Sequence, residues 1–130
     1  MDYDEKGQPL TEKKGTLATA EVITGVGDII KQRSGKHGDA FDNLRDIANR
    51  WSLYLSKTRR CGETNRQVEI ELTVADVAYM MVEMKLSRAT YGDNAEVDHF
   101  MDMIGYAGIG AAFLKKEKQK KAGETKPQNK

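Results

Sequence analysis

The chain has a single cysteine, Cys61, among 130 residues. That excludes a disulfide framework or a cysteine-built metal site within the chain. Proline occurs twice, at Pro9 and Pro127, both near the ends. No apolar run approaches the length needed to span a bilayer, and no secretory signal pattern opens the sequence. Walker loop, dinucleotide glycine fingerprint, nucleophile elbow and zinc-ligand spacing are all missing. A protein of a reducing cytoplasm is the default expectation, with no membrane partner.

Charge of one sign is also scarce, since the net charge is +1. It is unevenly placed. Residues 115–130 hold seven lysines against Glu117 and Glu124, a balance of +5, which leaves −4 for residues 1–114. An acidic body argues against specific duplex DNA binding, and the basic end reads as a solubilising tail. Residues 1–15 are almost free of large apolar side chains. They read as a disordered arm and 115–130 as a basic disordered tail, with one helical domain at 16–114 between them.

Apolar spacing inside that domain is helical. Ala18, Val22, Ile23, Val26, Ile29 and Ile30 predict a helix from about Thr16 to Arg33. Gly25 and Gly27 weaken it, and the run Ser34-Gly35-Lys36-His37-Gly38 stops it. Asp39 is an N-cap for a second helix at about 40–56, with Leu44, Ile47, Ala48, Trp51, Tyr54 and Leu55 on one stripe. Val68, Ile70 and Leu72 alternate with glutamates, which admits a short strand or extended arm near 67–72. Thr73 with Asp76 forms a capping box for a third helix to about Thr90. Asp93 with Glu96 repeats the device for a fourth, from Asn94 to about Lys116. The expected fold is all-α, a small bundle of about four helices ending in an antiparallel hairpin.

Two features depart from ordinary amphipathic patterning. Lys85 and Arg88 fall within the apolar arc of the third helix, while Glu83 falls on the opposite, wet face. Asp98 and Asp102 sit one turn apart on a fourth helix that is apolar almost all round, with Tyr106 on the same flank. The hairpin geometry predicts Asp98 beside Lys85. Charges that leave water lose several kcal/mol of hydration each unless paired or ligated, on the order of the cost of burying an ion. The quartet is either a structural ion-pair network or a polar site. In the second reading Asp98 and Asp102 hold a hard cation such as Mg²⁺, while Arg33, Lys36, His37, Lys85, Arg88 and Tyr106 bind phosphates. The amides opening the second helix offer an anion site. The apolar fourth helix, 94–114, is also a surface for a homo-oligomer.

The stretches IIKQRSGKHGDAFDNLRDIANRW and VAYMMVEMKLSRATYGDNAEVDHFMDMIGYAGIG resemble a family of small α-helical proteins from tailed bacteriophages, a domain of unknown function. Its pattern is an arginine- and glycine-rich loop leading to HGDF, a helix with a central Trp, then K-x-x-R and D-x-x-x-D-x-x-GYA. The resemblance covers about residues 28–112. It is carried by Arg33, His37, Gly38, Asp39, Trp51, Lys85, Arg88, Asp98, Asp102, Gly105 and Tyr106. The chain departs from the pattern by inserting Ala40 before Phe41 and by lengthening the 56–72 loop. The resemblance implies a phage accessory protein in the host cytoplasm and gathers the same inward charges, but it names no reaction.

A more distant likeness is to the MazG-type all-α nucleotide pyrophosphohydrolases, which carry E-x-x-E on one helix and E-x-x-D on the next. Here the third helix offers only Glu83 and the fourth D-x-x-x-D, so a two-metal hydrolysis site is poorly matched. Three functions follow as expectations. One is a nucleotide- or phosphate-binding protein assisted by Mg²⁺, and another a divergent pyrophosphohydrolase. The third is a non-catalytic oligomer acting on host proteins, with the charges structural. Catalysis is left open.

Overall fold

The computed structural model describes residues 5–7 and 10–125. Residues 1–4, 8–9 and 126–130, which belong to the expected arm and tail, lie outside the described residues. Four helices follow one another: α1 (Leu10–His37), α2 (Ala40–Thr58), α3 (Val74–Tyr91) and α4 (Val97–Thr125). The all-α bundle expected from the spacing is what forms. Helix α1 starts earlier than the apolar pattern does, and α4 continues through 115–125, the stretch read as a disordered tail. Lys, Glu, Gln and Ala are good helix formers, and extending an existing helix costs far less than nucleating one.

Local chemistry sets most of the boundaries. Asp39 caps α2, its carboxylate accepting from the amides of Phe41 at 3.0 Å and Asp42 at 3.2 Å. Thr73 and Asp76 form the full capping box of α3: the Thr73 hydroxyl accepts from the Asp76 amide, and the Asp76 carboxylate accepts from the Thr73 amide at 2.8 Å. Two boundaries differ from the expected ones. Gly35 does not end α1. The stop is Gly38, whose φ of +80° lies in the left-handed region that glycine enters without strain. Its amide donates to the Ser34 carbonyl at 3.1 Å, closing the last turn. Asp93 does not cap α4 either. Its carboxylate accepts from the Ala95 amide in a local turn, and the helix begins at Val97.

No strand is present among the described residues. Residues 59–68 form a small hairpin with one antiparallel bridge, Arg60 to Gln67, turned by Asn65 at φ 56°. The following segment is the extended arm, and it is held by a helix instead of a partner strand. The Ser56 hydroxyl accepts from the Ile70 amide at 2.7 Å and donates to the Ile70 carbonyl at 3.0 Å. One turn back, Ser52 accepts from the Leu72 amide at 2.8 Å and donates to the Ala48 carbonyl at 2.6 Å.

The core sits where α2 meets α3. Leu44, Ala48, Val74, Val77 and Ala78 are buried, with Phe41, Ile47, Trp51, Leu72, Met81, Ile109 and Phe113 packed on them. Helix α4 touches all three other helices and packs most extensively on α3. Their approach is close because Gly110 faces Ala78; a Cβ at 110 would stand 3.1 Å from the alanine methyl. Phe113 meets Phe41 edge to face, centroids 5.7 Å apart, which ties α4 to the start of α2. Helix α1 lies along another side of α4, with Val26 buried opposite Gly105.

Candidate functional site

The α1–α2 junction and α4 enclose an open cleft of about 560 Å³. That volume is within the usual range for small-molecule sites. Val26, Ile29 and Ile30 of α1, Leu44 of α2, and Met101 and Ile109 of α4 form its apolar lining. Arg33, Ser34, His37, Asn43, Asp98, Asp102 and Tyr106 supply the polar part.

The placement of Arg33 follows from helical spacing. Val26, Ile30, Arg33 and His37 recur at three and four residues, so they project from one side of α1. The apolar members seat that side against α4, and the two polar members emerge where the helix ends. On α4, Asp98, Asp102, Gly105, Tyr106 and Ile109 follow the same rule. Gly105 faces Val26 across the two helices, the Val26 Cγ1 lying 3.7 Å from where a Cβ would stand, an ordinary contact distance.

Lys85 pairs with Asp102, Nζ to Oδ2 at 2.9 Å, and not with Asp98 as the hairpin geometry had suggested. The physical reason is the linker. Residues 92–96 are not helical, so the register of α4 on α3 is set by a turn that helical spacing does not describe. Lys85 and Asp102 keep 15% and 30% of their side-chain exposure, so the pair is screened from bulk water without being sealed from it. Lys85 neutralises Asp102 from behind the cleft, and Asp98 is left exposed on the cleft side.

The other expected residues divide. Arg33, His37, Asp98, Asp102 and Tyr106 come together in the cleft. Lys36 and Arg88 are exposed and lie off its lining, and Lys85 reaches it only through Asp102. Glu83 is exposed on the far face of α3, as its position on the wheel predicts. The anion site expected at the start of α2 is also corrected. The carboxylate of Asp39 already occupies the amides of Phe41 and Asp42, so an incoming phosphate would have to displace it. Ser34 and Asn43 line the cleft without having been anticipated. Asn43 had a signal, as it adjoins Leu44 on the helix that α1 turns back upon.

The electrostatics are those of a mixed site. With Asp102 offset by Lys85, Arg33 and Asp98 are the cleft charges without an ion-pair partner among the described residues. Among the described residues no three His, Cys, Asp or Glu side chains gather into a group able to hold a metal alone. No described helix is long and apolar enough to cross a membrane.

Comparison with known proteins agrees in extent with this architecture. The family model described as Domain of unknown function (DUF6378) matches residues 21–114, from α1 to the apolar part of α4. The "Gene 55 protein" of Mycobacterium phage L5 is 32% identical over 90 residues, which is 68% of this chain and 49% of that protein. The chain thus spans about half the length of this curated relative. No solved structure matches. The match includes every cleft-lining residue and the Lys85–Asp102 pair, and the chain belongs to the DUF6378 family, a family of unknown function, with a bacteriophage gene product among its relatives.

Proposed function

We propose that the cleft between α1 and α4 binds a nucleotide or a similar phosphate-bearing small molecule, with Mg²⁺ carried between Asp98 and the phosphates. The observation that carries this reading is the division of the cleft lining. An apolar lining of Val26, Ile30, Leu44, Met101 and Ile109 suits a flat ring, and Arg33, His37 and Asp98 line the same cleft. A bare phosphate would be attracted by Arg33 and repelled by Asp98. A phosphate bearing a divalent cation satisfies both, because the ion accepts the carboxylate and leaves the outer oxygens to the guanidinium. Tyr106 and Asn43 add hydrogen-bonding groups for the sugar or the ring edge.

Binding without turnover is the form of the proposal the donor set favours. The MazG-like alternative needs acidic side chains from two helices around the metal, and α3 contributes only the outward-facing Glu83. The structural alternative, a non-catalytic oligomer acting on host proteins, is favoured by one observation. Lys85 and Asp102 already satisfy each other within the chain.

Thermal melting with a panel of ribo- and deoxyribonucleoside phosphates, with and without Mg²⁺, separates these readings. A binder is stabilised by at least one nucleotide, by about 2.7 kcal/mol at a hundred times its Kd. Arg33→Ala abolishes that stabilisation, and Asp98→Asn removes its Mg²⁺ dependence. Release of pyrophosphate and a nucleoside monophosphate from the same mixtures identifies the hydrolase instead. If no nucleotide moves the melt of the wild type, the cleft is not a nucleotide site and the charges are structural.

A further inference from the structure

We infer that α4 is also a self-association surface, and that a second copy of this chain packs antiparallel against its outward face. On the wheel, Asp98, Asp102, Gly105 and Ile109 turn toward the cleft and Gly110 toward α3. The remaining arc carries Val97, Phe100, Ile104, Ala107, Gly108, Ala111 and Leu114, with no charged residue over some five turns. Val97 and Phe100 are 61% and 60% exposed. Ala107, Gly108 and Ala111 are exposed too, and a Cβ on Gly108 would meet nothing within 4 Å. A lone helix in water carries polar residues on such an arc, while an uncharged one belongs against another apolar surface.

The area points the same way. A compact monomer of this mass exposes about 6,900 Å², whereas this chain exposes 10612 Å². The projecting ends of α1 and α4 account for part of the excess. Val97, Phe100 and Leu114 of the outward arc, 61%, 60% and 42% exposed, belong to that excess.

Charge at the two ends of the arc selects the occupant and its direction. The arc is preceded by Asp93 and Glu96 and followed by Lys115 and Lys118, all exposed. A second copy running the opposite way sets Asp93 against Lys118 and Glu96 against Lys115. Both pairings share one midpoint in sequence, beside Ile104 and Ala107. The two-fold axis then passes between Ile104 and Ala107, with the small residues Gly108 and Ala111 one turn further along the same arc. A parallel pairing would bring acid to acid and base to base. An isologous two-fold contact is also the commonest way for a soluble chain to cover such a face. The surface lies well round the helix from the cleft, so this inference does not depend on the ligand reading.

The test is the mass of the full chain in solution, by light scattering after size exclusion across a micromolar concentration series. Wild type runs at twice 14.5 kDa. Ala107→Arg, which costs the monomer no buried contact, runs at the single mass with an unchanged helical circular dichroism spectrum. Lys115→Glu/Lys118→Glu weakens the dimer at least tenfold, and adding Asp93→Lys/Glu96→Lys restores it. A wild type that stays monomeric throughout, or an Ala107→Arg variant that stays dimeric, overturns the surface. A charge-reversed variant that dimerises as tightly as wild type overturns the antiparallel arrangement.

Discussion

Lys85 shows how one side chain can be placed by its neighbours and still be misread in its partner. Its position inside an apolar arc was legible, because helical periodicity fixes which residues share a face. The identity of the carboxylate it meets was not, because that depends on how residues 92–96 turn. The pair with Asp102 is partly screened, so its contribution lies between those of exposed and fully buried ion pairs. Lys85→Met is expected to destabilise by about 1–2 kcal/mol, since it leaves the half-buried Asp102 carboxylate without its cation. Adding Asp102→Leu should recover most of the loss in a urea melt. If the single variant is as stable as wild type, the pair is incidental. A second residue-scale prediction concerns Cys61. A hydrogen bond from Thr64, reinforced by the backbone of Thr64 and Glu63, holds this thiol below its ordinary value. The thiolate is the nucleophile, so a lowered pKa means a larger reactive fraction at neutral pH. The rate of alkylation by iodoacetamide should rise with pH through a midpoint below that of an unperturbed thiol. Thr64→Val should move that midpoint upward and slow the reaction at pH 7. An unchanged midpoint would remove Thr64 as the cause.

Among the elements, α2 and α3 were readable because each combines an apolar stripe with a side-chain cap, two signals that agree. Helix α1 was harder. Its glycines at 25, 27 and 35 all weaken a helix, and only the left-handed backbone at Gly38 distinguishes the stop from glycines that merely sit inside. The extended arm at 67–72 is the clearest case of a structure that local pattern could not supply. Its alternation indicated extended backbone, but its partners are Ser52 and Ser56, fourteen to twenty residues earlier in the chain. Serine in a helix gives no sign of which distant amide it will meet. The consequence is measurable, because Ser→Ala in an exposed helix normally stabilises slightly through propensity. Here Ser56→Ala should destabilise by about 1–2 kcal/mol, since it strips the Ile70 amide of its acceptor in a part-buried site. Hydrogen exchange at Ile70 should quicken along with it, while the α3 amides follow only the global change. A neutral or stabilising result would show that water replaces the serine at no cost.

At the scale of the whole molecule, the four helices are not equally secured. Among the described residues, α3 holds all but three of the buried core side chains, whereas α1 contributes only Val26. Leu17 and Ile23, on the first half of α1, remain 62% and 53% exposed. An element with so little buried contact opens at a free-energy cost well below that of global unfolding. In the free protein the amides around Val26 and Ile30 should therefore exchange much faster than those around Val77 in α3. The cleft gives this looseness a functional edge, because its two uncompensated charges stand on different helices, Arg33 on α1 and Asp98 on α4. A ligand gripping both would fasten α1 to the body, and any species that binds only the closed form suppresses opening by about one plus its concentration over Kd. A nucleotide with Mg²⁺ at a hundred times its Kd should slow exchange in residues 22–33 by about a hundredfold. Sub-global exchange in α3 has no reason to follow, and Arg33→Ala should erase the protection in α1. The effect should not vary with protein concentration, because the outward face of α4 lies away from α1. Equal slowing in α1 and α3 would mean that the ligand stabilises the bundle as a unit, and that the cleft is not the hinge between its loose helix and its firm ones.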